Sequence, residues 1–178
     1  MKDRLKLIQL FKKGGRIAEV GVYQGSFARH IYRLARPELL VLVDAWARVP
    51  GSSLDLRTEG RKKTFTKDYE LCYDRVGHRR NVVMLAMLSL EAAELFRPGT
   101  FDAVYIDADH MEEAVRADIK AWWPLVARGG ILSGHDYGQG GVLKGCGVVP
   151  AVDDFVKRHG LELLLTERGV ARSWAVRK

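Results

Sequence analysis

Two carboxylates and two imidazoles follow apolar runs in the second half of the chain. Asp107 and His110 follow one run, and His135 and Asp136 follow the next. Such runs are typical of strands buried on both faces of a parallel sheet, and neighbouring strand ends in an open sheet face one ligand crevice. The four side chains are therefore predicted to converge on one site.

This group of side chains suits metal binding and proton transfer. Asp107 and Asp136 supply the oxygen ligands that a hard divalent cation such as Mg²⁺ favours. His110 or His135 could remove a proton from a substrate hydroxyl, because an imidazole titrates near working pH. The alternative is structural, with the acids capping the following helix and turn, as Asp109 would.

A glycine-containing turn follows the first strand-like segment. Glu19, Gly21 and Gly25 form the pattern acid-x-Gly-x-x-x-Gly, and Ser26 opens the next helix. Glycine lets the backbone approach a ligand closely, and the N–H groups of the following helix point at that ligand. A G-x-G-x-x-G dinucleotide loop would have a glycine where Tyr23 stands. The pattern favours a cofactor without a pyrophosphate, with Glu19 facing an ammonium group and the turn facing a carboxylate; the alternative is a purely structural turn.

A further acid, Asp44, ends the second strand-like run and is followed by Ala45 and Trp46. An acid at the end of the second strand of a nucleotide-binding sheet accepts hydrogen bonds from the ribose hydroxyls. Its distance from the glycine turn is that of one helix plus one strand. An aspartate after a strand is otherwise a common turn former. We predict that Asp44 binds a ribose.

Strand-like and helix-like segments alternate along the chain, which predicts a parallel sheet with helices on both faces. The predicted strands are Arg16–Val20, Leu39–Val43, Asn81–Leu85, Phe101–Ile106 and a fifth that starts at Ile131–Ser133. The predicted helices are Ser26–Leu34, Arg61–Arg75, Leu90–Phe96, Glu112–Val126, which the pair Gly129–Gly130 ends, and Ala151–Lys157. The final apolar segments, Leu161–Thr166 and Val170–Val176, predict an antiparallel hairpin. The long irregular stretches Arg48–Gly60 and Tyr137–Val149 are predicted to be mobile loops, of the kind that are either functional lids or disordered segments.

The composition is that of an ordinary globular protein. The 178 residues, 47% hydrophobic and 29% charged, are expected to form one domain over residues 1–178. Cys72 and Cys146 match no zinc spacing, and isolated thiols suit a reducing cytoplasm. Met1–Lys13 is predicted to be an amphipathic helix rather than a signal peptide, and a membrane partner is not expected. The net charge of +7 attracts polyanions, but the basic residues are scattered, which favours a small molecule over nucleic acid as the partner.

The order of these segments resembles the class I S-adenosylmethionine-dependent methyltransferases. It is similar in particular to the small family that includes macrocin-type sugar O-methyltransferases and cephalosporin-hydroxylase-like proteins. The resemblance lies in Glu19–Gly25, Val43–Trp46, Phe101–His110, Ala117–Pro124, Gly129–Tyr137 and Gly147–Phe155. It implies an α/β fold with a Rossmann-like, doubly wound, seven-stranded and mainly parallel sheet that ends in an antiparallel C-terminal hairpin. The chain departs from this pattern at Glu112, where such relatives commonly have a tyrosine.

The resemblance also implies a function, namely transfer of a methyl group from S-adenosylmethionine to a small-molecule acceptor, with a hydroxyl as the acceptor group and Mg²⁺ as an aid. The implied catalytic residues are His110 as the base, Asp107 and His135, and the implied metal ligands are Asp107 and Asp136. The implied cofactor-binding residues are Glu19, Gly21, Tyr23, Gly25, Ser26, Asp44, Ala45, Trp46, Met87, Ser89 and Asp107, with Met87 and Ser89 in a turn beside the adenine.

Other functions remain open at this point. The same cofactor could serve an RNA methyltransferase, or the fold could bind a nucleoside without catalysis. An NAD(P)-dependent oxidoreductase is disfavoured by Tyr23 in place of a glycine and by the lack of a Tyr-x-x-x-Lys pair. The long N-terminal extension of related enzymes is missing, so a homo-oligomer or the Arg48–Gly60 loop is expected to close the site.

Overall fold

Seven strands form one mixed sheet in the computed structural model, which describes residues 4–47, 65–138, 146–167 and 171–178. They are β1 (Arg16–Val20), β2 (Leu39–Asp44), β3 (Val82–Ala86), β4 (Phe101–Ile106), β5 (Val126–Tyr137), β6 (Leu164–Leu165) and β7 (Arg172–Arg177). Their order across the sheet is β3-β2-β1-β4-β5-β7-β6. The pairs among β1 to β5 are parallel, whereas β7 runs antiparallel to both β5 and β6. The predicted fold class is confirmed.

Six α-helices lie along the described residues. They are α1 (Arg4–Leu7), α2 (Ser26–Ala35), α3 (Phe65–Cys72), α4 (Ser89–Ala93), α5 (Glu112–Trp122) and α6 (Val148–His159). A short 3-10 turn, Ile8–Leu10, extends α1, and a π-helical turn, Tyr73–Gly77, extends α3. No helix of the described residues is both long enough and apolar enough to span a bilayer.

The helices cover both faces of the sheet, and two buried clusters result. Side chains of α1, α2 and α3 pack on one face around Ile17 and Tyr105, whereas α4, α5 and α6 pack on the other around Val20 and Val104. Successive side chains of a strand point to opposite faces. Glu19 therefore shares its face with Ile17, and with the residue it pairs with in the sheet, Tyr105.

The strand order reverses between β1 and β4. The chain builds outward from β1 to β3 on one side and then returns to place β4 on the other side of β1. Ligands of open α/β sheets bind at this reversal, outside the carboxyl ends of the strands. Here the main chains of the two strand ends are joined, since Asp107 N–H donates to Val20 O at 2.7 Å. The predicted site residues after β1 and β4 therefore lie at one crevice.

The helix before β5 ends earlier than the sequence pattern predicts. It stops at Trp122 and continues as a 3-10 turn, Trp123–Leu125, because Pro124 has no N–H to continue the α-helix. The expected helix-ending pair Gly129–Gly130 lies inside β5, which starts at Val126 instead of Ile131. That placement was wrong because glycine also serves where a strand bends.

The C-terminal helix and hairpin also differ in extent from the prediction. Helix α6 begins at Val148 rather than at Ala151, and β6 keeps two residues of the predicted six-residue segment. Most of the two stretches predicted to be mobile loops, and residues 61–64 of the predicted helix Arg61–Arg75, lie outside the described residues.

Candidate functional site

The turn after β1 brings two strand ends into close contact. Gly21 has φ of +84°, and its N–H donates to Val43 O at 2.8 Å. A Cβ atom at this position would lie 2.1 Å from Asp107 O, a separation that real Cβ atoms do not show. Only glycine fits here, for the positive φ and for the approach of β4. The close approach seen here is to the main chain after β4, and the predicted approach of this turn to a ligand stays a prediction.

A buried carboxylate lies next to this turn. Glu19 is 1% exposed, and its Oε2 atom has no hydrogen-bond partner among the described residues. Burial raises the pKa of Glu19 well above its usual range, although the positive charge of Arg4 opposes the shift. An unpaired buried acceptor is costly, so this oxygen is suited to a ligand that donates a hydrogen bond.

Asp44 ties together the two loops that follow β1 and β2. Its Oδ2 accepts the Tyr23 N–H and its Oδ1 accepts the Trp46 N–H, each at 2.8 Å. The Trp46 indole N–H in turn donates to Tyr23 O at 2.7 Å. A carboxylate has about four lone-pair sites, so both oxygens can accept a further hydrogen bond from a diol. Tyr23 and Trp46 both have a positive φ, of +55° and +39° respectively. Strained backbone of this kind is often found at functional sites.

Other predicted cofactor residues surround this loop pair. Gly25 immediately precedes α2 and has a φ of +74°. A Cβ atom at Gly25 would lie 2.9 Å from the sulfur of Cys72. Ser26 opens α2 and accepts a hydrogen bond from Arg75 at 3.0 Å. Ala45 lies between Asp44 and Trp46. Gly25 and Ser26 thus lie at the start of α2, and Ala45 lies in the loop after β2.

The turn after β3 is joined to Asp44 through its main chain. Met87 N–H donates to Asp44 O at 3.1 Å. Ser89 starts α4, but its hydroxyl donates to Asp118 Oδ1 at 2.5 Å and accepts the Trp122 indole N–H at 2.9 Å. The Ser89 side chain is thus committed to α5, and any contact it makes with a nucleoside would come from the backbone.

The predicted acid–imidazole cluster is assembled at the ends of β4 and β5. His110 Nε2 lies 2.7 Å from Asp136 Oδ2 and 3.7 Å from Asp107 Oδ1. One ligand atom from each of the three residues lies within 4.8 Å of the others, a spacing that a single metal ion could bridge. Asp136 has φ of +59°, and the pairing of β5 with β7 is irregular between Gly134 and Tyr137. The strained backbone turns this carboxylate toward His110.

The charges within the cluster are strongly coupled. Burial by itself would lower the pKa of His110, but its close contacts with the carboxylates of Asp107 and Asp136 raise it to about 10. Burial would raise the pKa of Asp136, yet the His110 contact holds it below the usual range. His110 is therefore an imidazolium that balances the charge of the carboxylates. A divalent cation at the same place would balance that charge instead.

The second predicted imidazole has the opposite electrostatic character. Burial, and next the charge of Arg4, lower the pKa of His135. Its Nδ1 lies 3.1 Å from the hydroxyl oxygen of Ser173 on β7. The ring is therefore neutral at neutral pH and is oriented by the neighbouring antiparallel strand.

Sequence reasoning missed one residue of the crevice. Arg4, at the start of α1, donates from Nη2 to Asp107 Oδ2 at 2.5 Å. Its guanidinium lies 4.0 Å from the centre of the Phe27 ring and 5.0 Å from that of Tyr105. A single arginine in an amphipathic N-terminal segment carries no sign of this contact, because its partner is 103 residues away.

Two other acids of this region have structural partners. Asp109 Oδ1 accepts the Met111 N–H at 3.1 Å in the turn before α5; the N-cap residue is Met111 and no side chain among the described residues caps this helix, so the expected capping role of Asp109 was wrong. Glu112, the departure from the family pattern, binds Arg116 one turn along α5 at 2.8 Å. Gly147 packs directly against the first residue of α5, since a Cβ atom at Gly147 would lie 2.3 Å from Glu112 Cα.

A basic groove lies beside the glycine turn. A cavity of about 330 Å³ between α2 and the end of α3 is lined by Arg29, Tyr32, Arg33, Arg75, Val76 and Arg79. Arg75 also donates to Gln24 O at 2.7 Å. Within the described parts of the chain, none of the four guanidinium groups has a carboxylate partner. The scattered arginines of the sequence are thus gathered in part on one surface.

Comparisons with known proteins agree with this geometry. A family profile described as "Methyltransferase domain" matches residues 18–137. Several solved structures share the fold. A candidate methyltransferase from Streptococcus mutans in complex with SAH is 12% identical, with a TM-score of 0.68 over 100% of this chain and 99% of that one. A candidate caffeoyl-CoA O-methyltransferase from Staphylococcus aureus is 13% identical, with a TM-score of 0.68 over 98% and 80%. Fibrillarin from Aeropyrum pernix, with natively bound S-adenosyl-L-methionine, is 15% identical, with a TM-score of 0.63 over 93% and 67%. No protein of curated function matches the sequence.

Proposed function

Because the chain belongs to the methyltransferase family defined by that domain, we propose that it binds S-adenosylmethionine at the crevice between β1 and β4. We further propose that it transfers the methyl group to a hydroxyl of a small-molecule acceptor near the Asp107–His110–Asp136 cluster. A closer relation to the macrocin-type sugar O-methyltransferases remains part of this proposal. The structures of similar fold include proteins with SAH and S-adenosyl-L-methionine bound, which supports the choice of methyl donor.

The observation that carries the proposal is the orphaned carboxylate oxygen of Glu19 beside a turn that only glycine can form. The methionine part of the methyl donor has an ammonium group, which donates several hydrogen bonds and carries the complementary charge. The adjacent Asp44 has spare acceptor capacity for the two ribose hydroxyls. The crevice residues thus fit an amino-acid-bearing nucleoside.

When bound, S-adenosylmethionine supplies a methyl group on a sulfonium, which is a good leaving group. The remaining task of the protein is to align the acceptor with this group and to remove one proton. Alignment in a closed site contributes up to about 7–11 kcal/mol to lowering a barrier of this kind. In this chain, Glu19 would hold the amino-acid end of the donor and Asp44 its ribose, beside the turn at Gly21.

We assign the orientation of the acceptor to the acid–imidazole cluster. Its ligand atoms, two carboxylate oxygens and one imidazole nitrogen, fit a divalent cation. Asp107 and Asp136 alone would suit Mg²⁺, whereas His110 as a third ligand would favour a transition metal. A cation held by these residues would polarise a hydroxyl and lower its pKa.

The proton of the acceptor hydroxyl requires a base, and we assign this role to one of the two histidines: to His135, whose lowered pKa leaves its ring neutral, or to His110 once its proton has been displaced by a cation bound at the cluster. His110 contacts both carboxylates, and His135 lies next to Asp136. Each histidine is substituted separately by alanine. The substitution that removes the base is expected to lower turnover by about a hundredfold or more. Affinity for the methyl donor is expected to stay nearly constant. Equal losses of turnover and of donor affinity would instead indicate a structural role.

Calorimetric titration tests the cofactor assignment. We expect the wild-type protein to bind S-adenosylmethionine and not NAD, and Glu19→Gln to bind the methyl donor at least about tenfold more weakly, since a charged hydrogen bond is lost. The matched control is Glu38→Gln, an acid on the surface with a side chain 67% exposed. Thermal unfolding of Glu19→Gln should not occur at a lower temperature, because the substitution removes a desolvated carboxylate. Binding of NAD but not of sulfonium nucleosides would overturn the proposal.

A second candidate function, methylation of RNA, is favoured by the basic groove. Arg29 and Arg33, one turn apart on α2, face Arg75 and Arg79 across a cavity, and like charges at this spacing repel each other. Bound phosphates would offset that repulsion.

Binding of single-stranded RNA at increasing salt separates the two candidates. If the groove binds the backbone, Arg33→Gln should reduce the slope of log affinity against log salt by about 0.7. Arg97→Gln, on the exposed loop before β4, should leave the slope unchanged. Affinity for RNA that is weak and equal in both variants would leave the small-molecule acceptor as the function.

A further inference from the structure

Arg4 is held at the crevice by three different elements. Its side chain is 31% exposed and extends from α1, which Leu7 anchors in the core. The guanidinium stacks over Phe27 of α2 and donates to Asp107 at the end of β4. Fixing a flexible arginine side chain in this way costs rotamer entropy. We therefore expect Arg4 to have a role in ligand binding at the crevice.

One buried donor of this arginine has no hydrogen-bond partner in the part of the chain that the structure describes. Arg4 Nε and Glu19 Oε2 are buried, and neither has a hydrogen-bond partner among the described residues. The two groups are close enough for the charge of Arg4 to lower the pKa of Glu19 against the effect of burial. The crevice therefore holds one unsatisfied donor on the guanidinium group of Arg4 and one unsatisfied acceptor on the carboxyl group of Glu19.

An α-amino acid group complements this pair. It has an ammonium group, which donates hydrogen bonds, and a carboxylate, which accepts them. A guanidinium binds a carboxylate through two parallel N–H groups. These two groups belong either to Nε and one terminal nitrogen or to the two terminal nitrogens. One N–H of Arg4 Nη2 donates to Asp107, so a ligand carboxylate would be bound by the N–H of Nε, which has no partner among the described residues, together with the second N–H of Nη2.

We propose that Arg4 binds the carboxylate of the methionine part of the methyl donor while Glu19 binds its ammonium group. This inference rests on the proposed function and deepens it. It makes Arg4 a specificity residue that selects nucleosides with a complete amino-acid group. It also links helix α1 to the loaded site, because the ligand then bridges α1 and β1.

Decarboxylated S-adenosylmethionine is the probe, since it keeps the nucleoside, the sulfonium and the amine and lacks only the carboxylate. Both compounds are titrated calorimetrically into the wild-type protein, Arg4→Met and Arg4→Lys. We expect the wild type to prefer S-adenosylmethionine by roughly tenfold to a hundredfold, the range of a charged hydrogen bond. Arg4→Met should lose this preference by binding S-adenosylmethionine more weakly and the decarboxylated compound as before. Arg4→Lys, which keeps a charge but not the paired N–H groups, should retain part of it.

The control is Arg16→Met, which removes a cation that is 52% exposed and paired with Glu38 on the surface. It should leave both affinities unchanged, and circular dichroism should show that all the variants are folded. An equal loss of affinity for both compounds in Arg4→Met, or no loss for either, would overturn the role of Arg4. A wild-type protein that binds neither compound would refute the proposed function itself.

Discussion

A buried carboxyl in α5 leads to a prediction about stability against pH. Asp118 is 4% exposed, and burial raises its pKa from 3.8 to about 6. The Ser89 hydroxyl donates to it and opposes the shift, whereas the charge of Asp109 adds to it. The Ser89 hydroxyl also accepts the Trp122 N–H, so the three side chains form one hydrogen-bonded chain.

The sign follows from proton linkage. Between pH 3.8 and about 6 the folded protein holds a proton on Asp118 that the unfolded chain has released. The free energy of unfolding therefore falls as pH rises through this window. A shift of about two units corresponds to about 3 kcal/mol, at 1.36 kcal/mol for each unit. Below the window the contribution is fully present, and above it the contribution is lost.

The substitution Asp118→Asn removes the titration and keeps an acceptor for Ser89. We expect the free energy of unfolding of the variant, relative to wild type, to increase by about 3 kcal/mol between pH 4 and pH 7.5. Urea unfolding at half-unit steps of pH, followed by tryptophan fluorescence, measures the difference.

The matched control is Asp102→Asn. Burial by itself would raise the pKa of Asp102, but the Arg16 N–H and Lys12 hold it below 3.8. The stabilising effect of the ionised Asp102 is lost only as pH falls below about 4, so the control difference should be constant above that pH. A constant difference for Asp118→Asn as well, or one that falls as pH rises, would refute the reasoning about burial.

Three further predictions concern the site and its supports. Gly21→Ala should abolish binding of the methyl donor, measured by calorimetry, because a Cβ would lie 2.1 Å from Asp107 O; retained affinity would show that the turn can move. Asp136→Asn should weaken binding of Mn²⁺ or Mg²⁺ at least about tenfold, measured by calorimetry on the protein alone; activity that EDTA does not change would argue against a metal. Gly147→Ala should lower the free energy of unfolding by on the order of 3 kcal/mol, measured by urea unfolding, because the backbone of Glu112 would have to move; a change near zero would show that the start of α6 is loosely packed.

The strand pattern was the most predictable feature of the molecule. The segments Arg16–Val20 and Phe101–Ile106 were predicted with the bounds that the structure has. Each is a short run of apolar residues followed by glycine or aspartate, so the information lies within a few neighbouring positions. The convergence of Asp107, His110 and Asp136 followed from the rule that parallel strand ends share one edge, and the structure places them together.

Boundaries were less predictable where one residue type has two uses. The pair Gly129–Gly130 was interpreted as a helix end, but it lies within β5. Helix α5 ends at Trp122 because a proline follows two residues later. Glycine serves both helix ends and strand bends, and only the pairing of β5 with β4 distinguishes the two.

The sequence by itself determined the alternation of strands and helices, the glycine turn and the acids at the strand ends, because each depends on residues close together in the chain. The tertiary structure decided which side chains meet across the chain. It brings Arg4 to Asp107, commits Ser89 to Asp118 and gathers the arginines of α2 and α3 in one groove. These contacts depend on the order and register of the strands and on the faces that the helices cover, and no local pattern of residues encodes them.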